Sequence, residues 1–473
     1  MTDRTLRVLQ RLIFYTEPQF LREELEALRA EQKAVYEAAT DAETRHEAAE
    51  LLAESAVDLR SVLADWHLKD ACRHGEVALD DAALQVEAEA NLALLSQLGE
   101  VDTVAAAREK IETIGRSNLA KITRMSLAGE LNTWWGNDYA AHLREAMRLG
   151  AAMCTTNPQL VNVAREEDPA YWTPVRDALQ IRYPDYNPTQ LAYAMTIEVV
   201  LYNARLLRPI WELTGGAMGY VSLQLSPKAA DNAEAMVSEG RWVWEQLACG
   251  LDGVPNCVFK LPGTRAGIEA AKQLTAGGMG VNVTVNFSLP QQIAFAGAIE
   301  SHSTAPVSYR TQMDGRLDDP IGEELRDLGV EGWEEVKTWA TTAIRQREYR
   351  LLCLPPSEGG LGFTKSIPLP ASGRGPWNID RSLTNGPVPI FLTIFPPRQV
   401  EYDAEPREID PNGMWTPVPD DIMAKLMQSK LFRMAYEPDG MTVEEFDTYL
   451  PVVRTLKGFC EQYDIFVEWV ASK

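Results

Sequence analysis

Over residues 1 to 122 apolar positions recur at three- and four-residue spacing. The stretches EPQFLREELEALRAEQKAVYEAAT and TVAAAREKIETIGRSNLAKI show it best, with Gly and Pro nearly absent. That period predicts amphipathic helices whose charged faces meet water. From residue 123 to 400 the texture changes. Short apolar or alternating runs now interleave with helical stretches. Eight such runs read as strands: SLAGELNTW, GAAMCTT, GYVSLQL, NCVFKLPG, VNVTVNF, APVSYR, YRLLCLP and PIFLTIFP. Strand and helix in alternation predict a parallel sheet with right-handed crossovers, and eight units predict a (β/α)8 TIM barrel. A doubly wound open sheet is the alternative, but LNTWWGND is no glycine-rich phosphate turn. Residues 401 to 473 return to helical spacing and predict helices packed on the barrel exterior.

Composition narrows the function classes. Among 473 residues, 68 are acidic and 45 basic, a net charge of −23. Such a surface disfavours nucleic acid and anionic membranes as partners. No apolar run is long enough to span a bilayer, and the N-terminus MTDRTLRVLQRLIFY lacks the pattern of a signal peptide. Cysteines at 72, 154, 249, 257, 353 and 460 form no CxxC pair. These features predict a cytoplasmic protein with reduced thiols, acting on a small molecule and able to form a homo-oligomer through its helices. The one tight His/Cys group, His67, Cys72 and His74 in HLKDACRH, lacks zinc spacing, so no metal or cofactor is expected.

One lysine stands out. Lys260 sits inside the apolar run CVFKL. An ammonium there is costly unless it is paired or loses its proton, which makes a nucleophilic amine a candidate. Side chains alternate along strands, so polar groups on neighbouring runs share faces: Asn132 with Trp134, Ser222 with Gln224 and Ser226, and Asn282 with Thr284 and Asn286. Together they predict a polar pocket around Lys260.

The runs CTTNPQLV at 154–161, VSLQLSP at 221–227, VFKLPGTRAGIEAAKQLTAGGMGVNVTVNFSLPQQIAFAGA at 258–298 and GRLDD at 315–319 resemble the transaldolase family, in its order. The resemblance implies a class I, metal-independent enzyme whose fourth-strand lysine, here Lys260, forms a Schiff base with a ketone or ketose while a carbon–carbon bond is made or broken. It implies sugar contacts from Thr155 and Asn157, and a role for Asn282 and Thr284 on the fifth strand, where the threonine holds the catalytic water. It further implies Ser308 at the end of the sixth strand and Arg316 on the substrate phosphate.

Three departures from the pattern emerge. The first-strand aspartate reads as Asn132 and the third-strand glutamate as Gln224, amides that cannot shuttle protons. The seventh strand, read as YRLLCLP, lacks the phosphate arginine. Glu130, Asp138, Tyr309 and Asp314 are candidate substitutes, with a helix N-cap as the simpler role for Asp138. These departures leave two other expectations open: a different imine-dependent reaction on an unphosphorylated substrate, or a non-catalytic scaffold.

Overall fold

The computed structural model describes residues 3–70 and 79–472. Eight strands follow one another: β1 (Thr133–Asn137), β2 (Met153–Thr155), β3 (Tyr220–Gln224), β4 (Cys257–Pro262), β5 (Val281–Thr284), β6 (Ser308–Met313), β7 (Ser366–Ala371) and β8 (Ile390–Ile394). They pair in parallel in the order β7-β6-β5-β4-β3-β2-β1-β8, with helices in every crossover. The chain folds as a nearly closed (β/α)8 barrel with added helical regions, as the strand–helix alternation predicts.

The barrel has one seam. Among the described residues no hydrogen-bonded ladder joins β7 to β8, although the two lie side by side. β7 reads SIPLPA, and Pro368 and Pro370 have no N–H to donate. Two residues apart, they leave gaps along the same edge of the strand, while the other edge pairs with β6 in unbroken register from Ser308↔Ser366 to Met313↔Ala371.

The seventh strand is therefore not YRLLCLP. Residues Tyr349–Cys353 form a π-helical turn that continues the helix Ala340–Glu348. Tyr349, Leu352 and Cys353 bury one helical face against Val388, Ile390 and Met414, and the Tyr349 hydroxyl donates to the Val388 carbonyl at 2.5 Å. A run apolar at nearly every position fits a buried helix as well as a strand.

The N-terminal helices share a core with the barrel. One cluster runs from Leu9 through Leu52 and Trp66 to Val221, Phe259 and Phe391. Trp66 stacks on Trp134 of β1, ring centroids 5.4 Å apart. Asp58, fully buried, is gripped by Arg144 and Arg148 from the first crossover helix, Leu143–Arg148. The helix Asn118–Leu127 crosses the boundary expected at 122, and its Thr123 hydroxyl accepts from the Trp135 indole at 3.1 Å. The C-terminal helix Leu450–Ala471 lies against the helices Pro158–Glu167 and Pro188–Leu213. It reaches the barrel mouth rather than the outer wall alone, because its Phe459 ring lies 5.1 Å beneath the Arg316 guanidinium.

Candidate active site

Lys260 stands on β4 level with Gln224 of β3 and Asn282 of β5. Its face is the barrel interior: Asn282 bridges Ser222 Oγ at 3.0 Å and the Thr311 hydroxyl at 2.6 Å, closing a polar layer across β3, β5 and β6. Lys260 is 7% exposed, and its Nζ donates to the Thr156 carbonyl at 2.8 Å. Burial pulls its pKa below the usual lysine value; Asp138 and Cys154 oppose that shift and Arg316 adds to it. Burial of this kind favours the free amine, the form in which a lysine can act as a nucleophile.

Asp138 follows β1 directly and lies at the C-terminal end of the barrel. Its Oδ1 accepts from the Thr155 hydroxyl at 2.5 Å, and Thr155 in turn meets the Thr393 hydroxyl of β8 at 2.6 Å. It caps no helix: the residue before Leu143–Arg148 is His142, in a left-handed conformation. Asn132 is at the other end. Its N–H donates to the Thr384 carbonyl at 2.7 Å and its amide to Gly386 at 2.9 Å, both beneath the strands. The expectation that Asn132 ends the first strand is corrected by five residues of β1 that follow it. The inward carboxylate at the mouth is Asp138.

Ser308 is likewise displaced. It opens β6 rather than ending it, and its hydroxyl accepts from the Val281 N–H at 3.2 Å at the barrel's lower rim. The residues of β6 that face the pocket are Thr311 and Met313. Thr284 is buried beside Met313, its hydroxyl 3.7 Å from the sulfur. Asn157 caps the helix Pro158–Glu167, its Oδ1 accepting from Leu160 N–H at 3.0 Å. Of the proposed substitutes, Asp314 is locked to Arg345 and Asn378, and Tyr309 packs edge-on to Phe391 in the barrel core. Glu130 precedes β1 at the lower end.

Two arginines ring the mouth. Arg316, in the helix Asp314–Asp327, reaches Gln159 at 3.4 Å and has no carboxylate partner among the described residues. Burial pulls its pKa down, the charge of Arg374 adds to that, and Asp138 opposes it. Arg374 lies three residues beyond β7, bonded to Asp319 at 3.0 and 3.1 Å. Sequence reasoning missed it because the two prolines of β7 hid the strand that presents it. In HLKDACRH, the His67 ring meets the Thr16 carbonyl at 2.9 Å; Cys72 and His74 lie outside the described residues.

Residues 140–341 match the family model of transaldolase/fructose-6-phosphate aldolase. The transaldolase of Acidothermus cellulolyticus is 30% identical over 222 residues, 44% of this chain and 57% of that protein. That of Thiobacillus denitrificans is 32% identical over 211 residues, 42% of this chain and 56% of that protein. That of Neisseria meningitidis serogroup C is 27% identical over 250 residues, 44% of this chain and 69% of that protein. The chain thus spans little more than half the length of the first two. The match takes in the lysine strand, the Thr-Thr-Asn-Pro turn and the crossovers between them, on an eight-stranded barrel, and this part of the chain is similar to the transaldolase/fructose-6-phosphate aldolase family.

Proposed function

We propose that this protein is a transaldolase-like enzyme in which Lys260 forms an imine with a phosphorylated ketose and a carbon–carbon bond is then broken or made. The observation that carries this reading is the buried Lys260 amine, with Asp138 and Arg316 among the charges acting on it. A protonated imine draws electrons from the adjacent carbons, so cleavage needs no metal in this chemistry. Asp138 stands at the end of the first strand, where the family resemblance asks for a carboxylate, and is the candidate to move the proton of the breaking or forming hydroxyl. Arg316 and Arg374 form a cationic pair for a phosphate, the kind of group that a guanidinium fork binds well. Thr155, Asn157, Asn282 and Thr284 are candidates to hold sugar hydroxyls and water. A reaction on an unphosphorylated carbonyl is the second reading, favoured by Gln224, the one expected carboxylate that remains an amide.

The test is borohydride trapping with fructose 6-phosphate, sedoheptulose 7-phosphate, dihydroxyacetone and unphosphorylated sugars, read by peptide mass spectrometry. The expected adduct falls on Lys260, disappears in Lys260→Ala, and weakens in Arg374→Ala for the phosphorylated donors only. Adducts with unphosphorylated compounds alone would select the second reading. No adduct at Lys260 with any donor would end the imine reading.

A further inference from the structure

One polar cluster at the mouth, apart from its member Gln224, has no part in the reading above. Gln224 Oε1 is buried and has no hydrogen-bond partner. It borders a cavity with about 20 Å³ of room, lined also by Thr156, Tyr193 and Tyr463. That volume admits one water molecule; Val161, Ala192 and Phe466 form an apolar side, and Thr156, Tyr193, Gln224 and Tyr463 supply the polar atoms that would hold it. Two of its walls belong to Lys260's own neighbours: Gln224 is the register partner of Lys260, and the Thr156 carbonyl accepts from Nζ.

Behind the cavity stands a carboxyl. Tyr193, on the helix Pro188–Leu213, is 6% exposed. Its hydroxyl donates to Glu239 Oε2 at 2.5 Å and accepts from the Ser226 N–H at 2.9 Å. Glu239 comes from the next helix, Ala233–Leu251, and receives a longer contact from the same N–H, 3.3 Å. Burial raises the Glu239 pKa, while Tyr193 and Ser226 oppose the rise. Tyr463 of the C-terminal helix also faces the pair; Asp464, beside Tyr463, is itself paired with Lys228 at 2.6 Å.

We propose that Glu239 and Tyr193, with one water in this cavity, are the proton relay for forming and hydrolysing the imine at Lys260, replacing the carboxyl absent from β3. The proposal rests on the imine reading. Lys260 Nζ adds to the substrate carbonyl carbon, and one of its protons passes to the former carbonyl oxygen, giving a carbinolamine. With Glu239 protonated, the hydrogen bond between the two reverses, the carboxyl donating to Tyr193 Oη and the phenol turning its hydrogen to the water; Glu239 then gives its proton to Tyr193 Oη as Tyr193 gives its own to the water, and the water gives one to the carbinolamine hydroxyl. The C–O bond breaks, water leaves, and the nitrogen lone pair closes the C=N bond. The imine keeps one hydrogen and a positive charge, and Glu239 is left as carboxylate. Hydrolysis runs the same steps backward and returns the proton. Gln224 anchors the water through its open Oε1 and takes no proton.

The experiment follows borohydride-trapped adduct at Lys260 against time, with fructose 6-phosphate, from pH 5 to 9. In the unaltered protein the rate falls as pH rises through the titration of Glu239. In Glu239→Gln that limb is gone and the rate is lower by ~10² to 10⁴-fold, the range of general acid–base catalysis. Tyr193→Phe fills the same volume and lowers the rate similarly while Lys260 remains the labelled residue; it carries the test if Glu239→Gln melts early. Variants that trap at the unaltered rate overturn the relay and leave the imine reading standing, as does a slower rate with an unchanged pH profile. Absence of adduct in the unaltered protein overturns both.

Discussion

Lys260 carries a cost that shows in stability. Burial lowers its folded-state pKa. Between that value and the unfolded lysine value near 10.4 the unfolded chain binds more protons, so stability rises with pH across this window. Lys260→Met removes the titration. The variant is expected to melt higher than the unaltered protein near neutral pH, with the gap closing as pH approaches 10.4; thermal melts across pH 6 to 10 read it directly. A gap that does not change with pH would mean the lysine keeps its ordinary value in the fold. The same site shows what a sequence can hide. CVFKL announced a lysine in an apolar strand, and its neighbours on β3 and β5 were legible from alternation. Asp138 was legible only as one of four candidate substitutes, with a helix N-cap as its simpler role, because the strand seemed to end at Asn132 and Trp134. Only the ladder Thr133↔Ile390 to Asn137↔Ile394 shows five further residues rising to the mouth.

At the scale of elements, the join between the N-terminal helices and the barrel rests on buried charge. Asp58 meets Arg144 and Arg148, and Arg148 also meets Glu54 and Glu145. Removing one partner from a buried pair leaves an uncompensated charge, typically costing about 3–5 kcal/mol. Asp58→Asn is expected to lose about that much in urea unfolding, as one transition, since Leu52, Trp66 and Phe259 belong to one core. Two separate transitions would show that the helices fold apart from the barrel. Helical spacing revealed these segments but not their attachment, because Asp58 and Arg148 lie 90 residues apart in sequence. The strands with Val, Ile and Phe in alternation were legible. β7 was not, since SIPLPA carries two prolines, and its place was given to a π-helical turn with a strand-like composition. The arginine beyond β7 went unread with it.

For the whole molecule, a net charge of −23 makes the surface repel anions in general. Arg316 and Arg374 set positive charge at the end of the barrel where Lys260 is reached. Their mountings differ. β6, which leads into Arg316, is laddered on both sides, to β5 and β7. β7, which leads into Arg374, is laddered on one side only. Hydrogen exchange is expected to be faster in β7 than in β4, which is braced by β3 and β5; equal protection would show the seam to be as firm as the rest. Mechanically, the wall that carries Arg374 is a cantilever and the wall that carries Lys260 is a beam fixed at both edges. On the proposed reading, the arm that would grip an anion has compliance to follow substrates of different length, while the lysine keeps its aim.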